Sequence, residues 1–375
     1  MATAYTPGLR VSPFTTIRKA RRLPLKGEVL VELNQQVQPD TVVARTELPG
    51  AMQTVKVAAH MGVEPRDVEP LLRVRVGDRV EKDQVLAESR SLFGLIKSTC
   101  RSPMGGTVEH FSPVTGSVGI RAPSIPVEVR AYVAGTVVEL LPSEGVVVEA
   151  QGAFIQGIFG VGGERNGTIR VVAESSSEPL RAAAIGGDAA GCVLVGGSLV
   201  EADALQRAAQ VGAVAVVAGG ILDRDLIGFL GHDIGVAITG HEDTPLTIII
   251  TEGFGTIPMA RRTFDLLRAL NGRAASVNGA TQIRAGVIRP EVIVPLESPA
   301  VQTGGDGDAH QELNVGSSVR IIREPYFGRL ATVTVLPPEP ALIPSGATVR
   351  VLRARLMDTG EEVTVPRANV EILSS

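Results

Sequence analysis

The stretch TIIITEGFGTIPMARRTF (residues 247–264) decides how the middle of this chain is built. Its first five residues favour a strand. A glycine-broken loop with one acid follows, and Thr256 and Pro258 then read as the start of a helix. Working outward, GCVLVGG (191–197), AVAVVAGG (213–220) and GVAITG (235–240) are continuous apolar runs, the pattern of strands buried on both faces. Helical patterns lie between them. Ser198 with Glu201 forms a capping-box pattern, Asp223 can cap RDLIGFLG, and Met259, Leu266, Leu267 and Leu270 share one side of a helix that Asn271-Gly272 stops. The expectation is an α/β domain over 177–296 with a mostly parallel sheet.

Open sheets of this kind bind ligands beyond the carboxyl ends of their strands. Gly196-Gly197, Gly219-Gly220 and the sequence TGHED (239–243), with His241 and Glu242, fall at such ends. Glu252, Gly253 and Gly255 form the loop whose amides could hold an anion at a helix start. The loop has neither a P-loop signature nor GxGxxG. A plain glycine-enabled turn, with Glu252 near a helix N-terminus, is the other reading. About seven residues separate GVAIT from TIIIT, whereas a parallel crossover needs roughly 10–12, so antiparallel pairing of those two runs is expected.

Upstream, residues 1–24 carry IRKARR (17–22) among Thr, Pro and Ser, which reads as a flexible or wrapped basic arm, or as one that touches an acidic partner. Residues 25–176 hold short Val/Ile runs separated by Gly, Pro and Asp turns, as in barrels and sandwiches. Within them lies VRVGDRVEKDQVLAESRSLFGLIKSTCRSPMGGTVEHF (74–111). Its Gly77, Asp78, Val80, Gln84, Leu86, Ala87, Ser102, Pro103, Gly106 and Val108 resemble the half-motif of the biotinyl/lipoyl, or barrel-sandwich hybrid, fold. In carriers of that family the modified lysine is flanked by Met, or by Asp and Ala. Lys97 stands in LIKST, so it is expected to be unmodified and no cofactor is expected.

Downstream, SPAVQTGGDGDAHQEL (297–312) is a linker without apolar period. In the region 313–375, Gly316, Val319, Ile321, Pro325, Phe327, Gly328, Val333, Val335, Val365, Val370 and Glu371 resemble the KOW motif of SH3-like barrels, with Ala331 where the motif has glycine. That family includes NusG-type transcription factors and ribosomal proteins, which implies a docking or RNA-contact module. Arg320, Arg323, Tyr326, Phe327, Arg329, Arg353 and Arg355 are its candidate contact residues, with Arg350 and Arg367 nearby.

The whole is 375 residues with net charge −4, 20% charged and only 3% aromatic residues, including no Trp. There is thus no global basic field and no stacking platform for single strands. Cys100 and Cys192 are far apart and read as reduced thiols. No long apolar run suggests a membrane span. The histidines are scattered, no catalytic Ser, His and Asp pattern appears, and neither a metal site nor a catalytic residue is assigned. The expectation is a multidomain α+β, cytoplasmic, non-catalytic scaffold that docks on a large protein or ribonucleoprotein assembly. The alternative is an enzyme or anion sensor at the strand ends of the α/β domain.

Overall fold

Strands whose every residue is apolar can be satisfied only between two hydrophobic layers, and the computed structural model places them there. It describes residues 9–91, 96–231, 244–282, 288–299, 313–323, 325–326, 328–342 and 348–372. Strand makes up 47% and helix 14%, in one large mixed sheet and several small antiparallel ones. In Cys192–Val195, Ala215–Ile221 and Thr247–Phe254, side chains alternate between two cores. Leu194, Val216, Ala218, Ile248 and Ile250 meet the helices Ala202–Gln210 and Asp223–Leu230. Val193, Val195, Ala215, Val217 and Ile249 meet Phe264, Leu266 and Leu267 of the helix Arg261–Ala269 and Met259 just before it.

The parallel stretch runs Glu164–Val171, Cys192–Val195, Ala215–Ile221, Thr247–Phe254. Antiparallel strands extend it on both sides. Phe159–Val161 covers Ile248–Ile250, so both flanks of that strand are taken there by Phe159–Val161 and Ala215–Ile221. The pairing expected from residues 235–239 falls outside the described residues. On the other side come Ala274–Asn278, Glu291–Pro295 and the 12-residue strand Gly145–Gln156. The last is the seam of the molecule. It also pairs with Gly135–Leu141 and, over ten residues, with Val11–Arg22. A boundary at 176/177 therefore cuts a continuous sheet: strands 145–171 belong with the α/β strands.

The basic segment is a strand of that sheet rather than a free arm. Ile17, Lys19 and Arg21 turn inward and Arg18, Ala20 and Arg22 outward. All four charged residues are paired within the chain: Arg18 with Glu149 at 2.6 Å, Lys19 with Glu291 at 2.6 Å, Arg21 with Glu164 at 2.6 Å and Arg22 with Glu144 at 3.4 Å. Glu291 also accepts from the Tyr132 hydroxyl at 3.2 Å. Burial first, then the Glu291 charge, pushes that phenol well above its ordinary pKa, so it stays a donor.

Residues 51–121 stand on a ribbon. Val42–Leu48 pairs with Ile125–Arg130, and Met52–Val55 pairs with Ser117–Arg121. Between these strands lie short helical turns, Gly106–Ser112 and the hairpin Val85–Ser91/Ile96–Arg101. Their core, from Val57 to Ile120, includes Val80, Leu86, Ala87 and Val108. Lys97 pairs with Arg90 across the hairpin; its side chain lies outside the description. The C-terminal module is a five-stranded antiparallel sheet around Val319, Ile321, Val333, Leu352 and Val365. Linker residues 300–312 lie outside the described residues.

Three helix starts differ from expectation: Asp223, expected as a cap, is itself the first residue of the helix Asp223–Leu230, with Leu222 in the cap position. The Ser198 hydroxyl donates to Ser177 O at 2.9 Å, while Leu199–Val200 pairs with Ala215–Ile221, so the helix there begins at Ala202. The last of the three begins at Arg261, beyond Thr256 and Pro258. At Ser198, a tertiary contact claimed the hydroxyl that local propensity would use as a cap.

Candidate functional site

The carboxyl ends of the parallel strands are the place to look for a ligand. Glycine there leaves room beside the backbone, and in this chain the room is filled by the chain itself. A Cβ on Gly197 would lie 2.3 Å from Ser175 O, on Gly219 2.3 Å from Ile257 O, and on Gly220 2.1 Å from Gly255 O. A Cβ on Gly196 would lie 2.8 Å from that of Leu180. The segments 175–178 and 255–259 are thus laid onto the strand ends. Their polar groups are matched: Gly197 N and Ser198 N donate to Glu178 O (3.1 and 2.9 Å), Gly219 N to Gly197 O (2.9 Å), Gly255 N to Ile221 O (2.9 Å) and Met259 N to Ser176 O (3.0 Å). Each hydrogen bond satisfies a buried group that a ligand would otherwise have to meet. His241 and Glu242 lie outside the described residues.

Glu252 is nine-tenths buried. One carboxylate oxygen accepts from Ala260 N at 2.9 Å, at the start of the helix Arg261–Ala269. The other accepts from Arg320 Nη2 at 2.5 Å. Gly253, at φ 144°, and Gly255, at φ 121°, bend the loop, and a Cβ on Gly253 would lie 2.6 Å from Gly328 O. The TEGFG loop therefore faces the C-terminal module.

Arg320 opens a buried charge cluster. Its side chain is 1% exposed, and its Nη1 lies 3.8 Å from Glu371 Oε2. That is within ion-pair reach but beyond hydrogen-bond length, and neither Nη1 nor Nε has an acceptor among the described residues. Glu371, 2% exposed, is also met by Arg289 Nη1 at 3.3 Å and accepts from the amide of Leu9. Two carboxylates and two guanidinium groups sum to zero, the condition under which buried charge is tolerated. Sequence reasoning placed Glu252 and Arg320 in two different sites and overlooked Arg289. The available signal was Arg320 inside the apolar run SVRII and Glu371 inside NVEIL, charges at strand positions flanked by core residues.

The other arginines separate into engaged and open ones. Arg329 forms a fork with Asp358 (2.9 and 2.6 Å), reaches Thr359 and sits 6.0 Å from the Tyr326 ring centre. The fork's hydrogen bonds hold the Asp358 carboxyl below its usual pKa and raise that of Arg329. Arg323 is half-buried and engaged, and Tyr326 packs against the module's core. Arg353 and Arg355 are exposed on one face of Val351–Leu356, opposite Thr364 and Glu362 on the next strand. Phe327 lies outside the described residues. An open cleft beside Arg21, Arg22 and Arg130 is also lined by Glu128 and Glu164, the latter already bound to Arg21 through both carboxylate oxygens.

Among the described residues no group of three or more His, Cys, Asp or Glu is placed to hold a metal ion, and no helix is long and apolar enough to cross a membrane. Compared with known proteins, the chain matches no family model and no curated protein.

Proposed function

We propose that this chain is a non-catalytic, cytoplasmic interaction protein that docks on a large protein or ribonucleoprotein assembly. Its C-terminal module acts as an SH3-like, KOW-bearing barrel, and the barrel-sandwich hybrid expected over 25–176 is narrowed to residues 51–121, whose core holds Val80, Leu86, Ala87 and Val108. The observation that carries this reading is the filled strand edge: Gly197, Gly219 and Gly220 take backbone from residues 175–178 and 255–259 where a substrate would need to lie. An enzyme or sensor site would need convergent polar groups around an open pocket there. In this chain the groups at the edge bond to one another.

The outward face of the barrel supplies the contact. Arg353 and Arg355 stand on one exposed strand face, and a pair of guanidinium groups suits phosphate or carboxylate. Arg320 is withdrawn into the buried cluster and Arg329 is bound to Asp358, so the test belongs on Arg353 and Arg355. Titration of the full chain with RNA at two salt concentrations is expected to show weak binding, with a slope of about −0.7 per phosphate neutralised. R353E together with R355E is expected to abolish it. Absence of RNA binding at low salt, with partners recovered from native lysate equally with and without RNase, would assign the face to an acidic protein. A nucleotide or phosphate ion that raised the melting temperature of the R353E/R355E variant, whose barrel face can no longer take phosphate, would overturn the non-catalytic reading.

A further inference from the structure

The buried cluster joins two parts of the chain that the sequence between residues 299 and 313 separates. Glu252 and Arg289 come from before that segment, Arg320 and Glu371 from after it. The same boundary is crossed elsewhere too, first by the Leu9 amide, which donates to Glu371. Ile322, 8% exposed, belongs to the apolar core that holds Phe159, Ile248 and Ile250, with Phe254 packed against it. The loop at Gly253 meets the turn at Gly328 backbone to backbone, and each glycine has a positive φ.

We infer that the C-terminal module is a resident plug of the α/β sheet. It is fixed in cis over the carboxyl end of Thr247–Phe254, and the Glu252–Arg320–Glu371–Arg289 cluster, not the intervening segment, is the lock. The apolar part of the junction is non-directional. The charges give it address: Arg320 is buried beside two carboxylates, one from each side. Removing one member leaves an opposite charge buried without its partner, a strongly destabilising change. Arg289 shares Glu371 with Arg320, so loss of either leaves that carboxylate half-neutralised. The lock goes beyond the docking role, because it concerns the inward side of the module, whereas Arg353 and Arg355 face outward.

The lock is tested on the full chain carrying a specific protease site at residues 303–308. After cleavage, the two pieces are expected to co-elute on size exclusion at micromolar concentration and to appear as one species in native mass spectrometry. In Arg320→Ala and in Glu252→Ala they are expected to separate. Arg289→Ala gives the same readout from outside the C-terminal module if Arg320→Ala yields too little folded protein. Arg329→Ala removes the fork to Asp358 and the contacts with Thr359 and Tyr326, all within the C-terminal module; it serves as control and is expected to leave the pieces together. Separation of the unsubstituted pieces on cleavage would overturn the inference. So would co-elution in Arg289→Ala and Arg320→Ala as firm as in the parent. Neither result depends on whether RNA binds.

Discussion

Gly219 and Glu252 show how much can hang on one side chain, or on the lack of one. Gly219 has backbone on three sides: a Cβ would meet Ile257 O at 2.3 Å, Met259 N at 2.7 Å and Gly197 O at 2.8 Å. None of these is the free end of a side chain that could move aside. Gly219→Ala is therefore expected to cost about 1–3 kcal/mol, as overpacking does. Gly228, inside the helix Asp223–Leu230, has nothing within 4 Å of its would-be Cβ, and Gly228→Ala is expected to add about 0.5–1 kcal/mol. Urea unfolding of both variants checks the pair; a neutral Gly219→Ala would mean that the strand edge is open after all. For Glu252, the sequence disclosed one oxygen and hid the other. Its place before a helix start is a local pattern, and Ala260 N is indeed bound. Its second partner, Arg320, is 68 positions away, a distance over which no local period carries information.

At the scale of elements, what was legible follows the same division. The apolar runs within 191–197, 213–220 and 247–251 declared strands buried on both faces, because that demand is met or failed residue by residue. The apolar side shared by Leu266, Leu267 and Leu270 was legible for the same reason, and Met259 reaches the same core from just before the helix. The strand Val11–Arg22 was not. Four charges in six residues resemble a solvated tail, and the acids that neutralise them sit at 144, 149, 164 and 291. Pairing to Gly145–Gln156 then makes an inward cation structural. Arg21 is 15% exposed, bound through two nitrogens to Glu164, bonded to Arg130 O and stacked 5.4 Å from the Tyr132 ring centre. Arg18, one position from Lys19 on the outward face, is 70% exposed. Arg21→Ala is expected to lower stability by about 2 kcal/mol, the scale of hydrogen bonds to a charged group. Arg18→Ala is expected to cost about 0.5 kcal/mol or less. Equal losses in thermal or urea unfolding would contradict the alternation on which the strand assignment rests.

At the scale of the molecule, the sequence suggested modules in series, and the structure nests and locks them. The seam strand Gly145–Gln156 ties the N-terminal strands to the α/β strands. The C-terminal module closes on Glu252 through the buried cluster. Among the described residues, 51–121 hold a core of their own, and the reason they could not be recognised as an insertion is that their two flanking ribbons look like ordinary alternating strands. Their independence has a physical basis. Every buried apolar residue of their core lies between Val57 and Ile120. At the junction, Gly50 lets two backbones cross, since a Cβ there would lie 2.2 Å from Ala122 O. Just below it, Leu48 and Ile125 face each other at the end of the lower ribbon. A two-residue Asn-Gly turn joins such a pair with the twist of the strands. Replacing residues 49–124 by Asn-Gly should therefore convert the ribbon into a plain hairpin and remove one complete core without opening another. The shortened chain is expected to unfold cooperatively, with a melting temperature within about 4 °C of the corresponding transition of the parent, the shift that about 1 kcal/mol produces in domains of 150–250 residues. If it is molten instead, with secondary structure but no cooperative transition, then residues 51–121 support the large sheet directly.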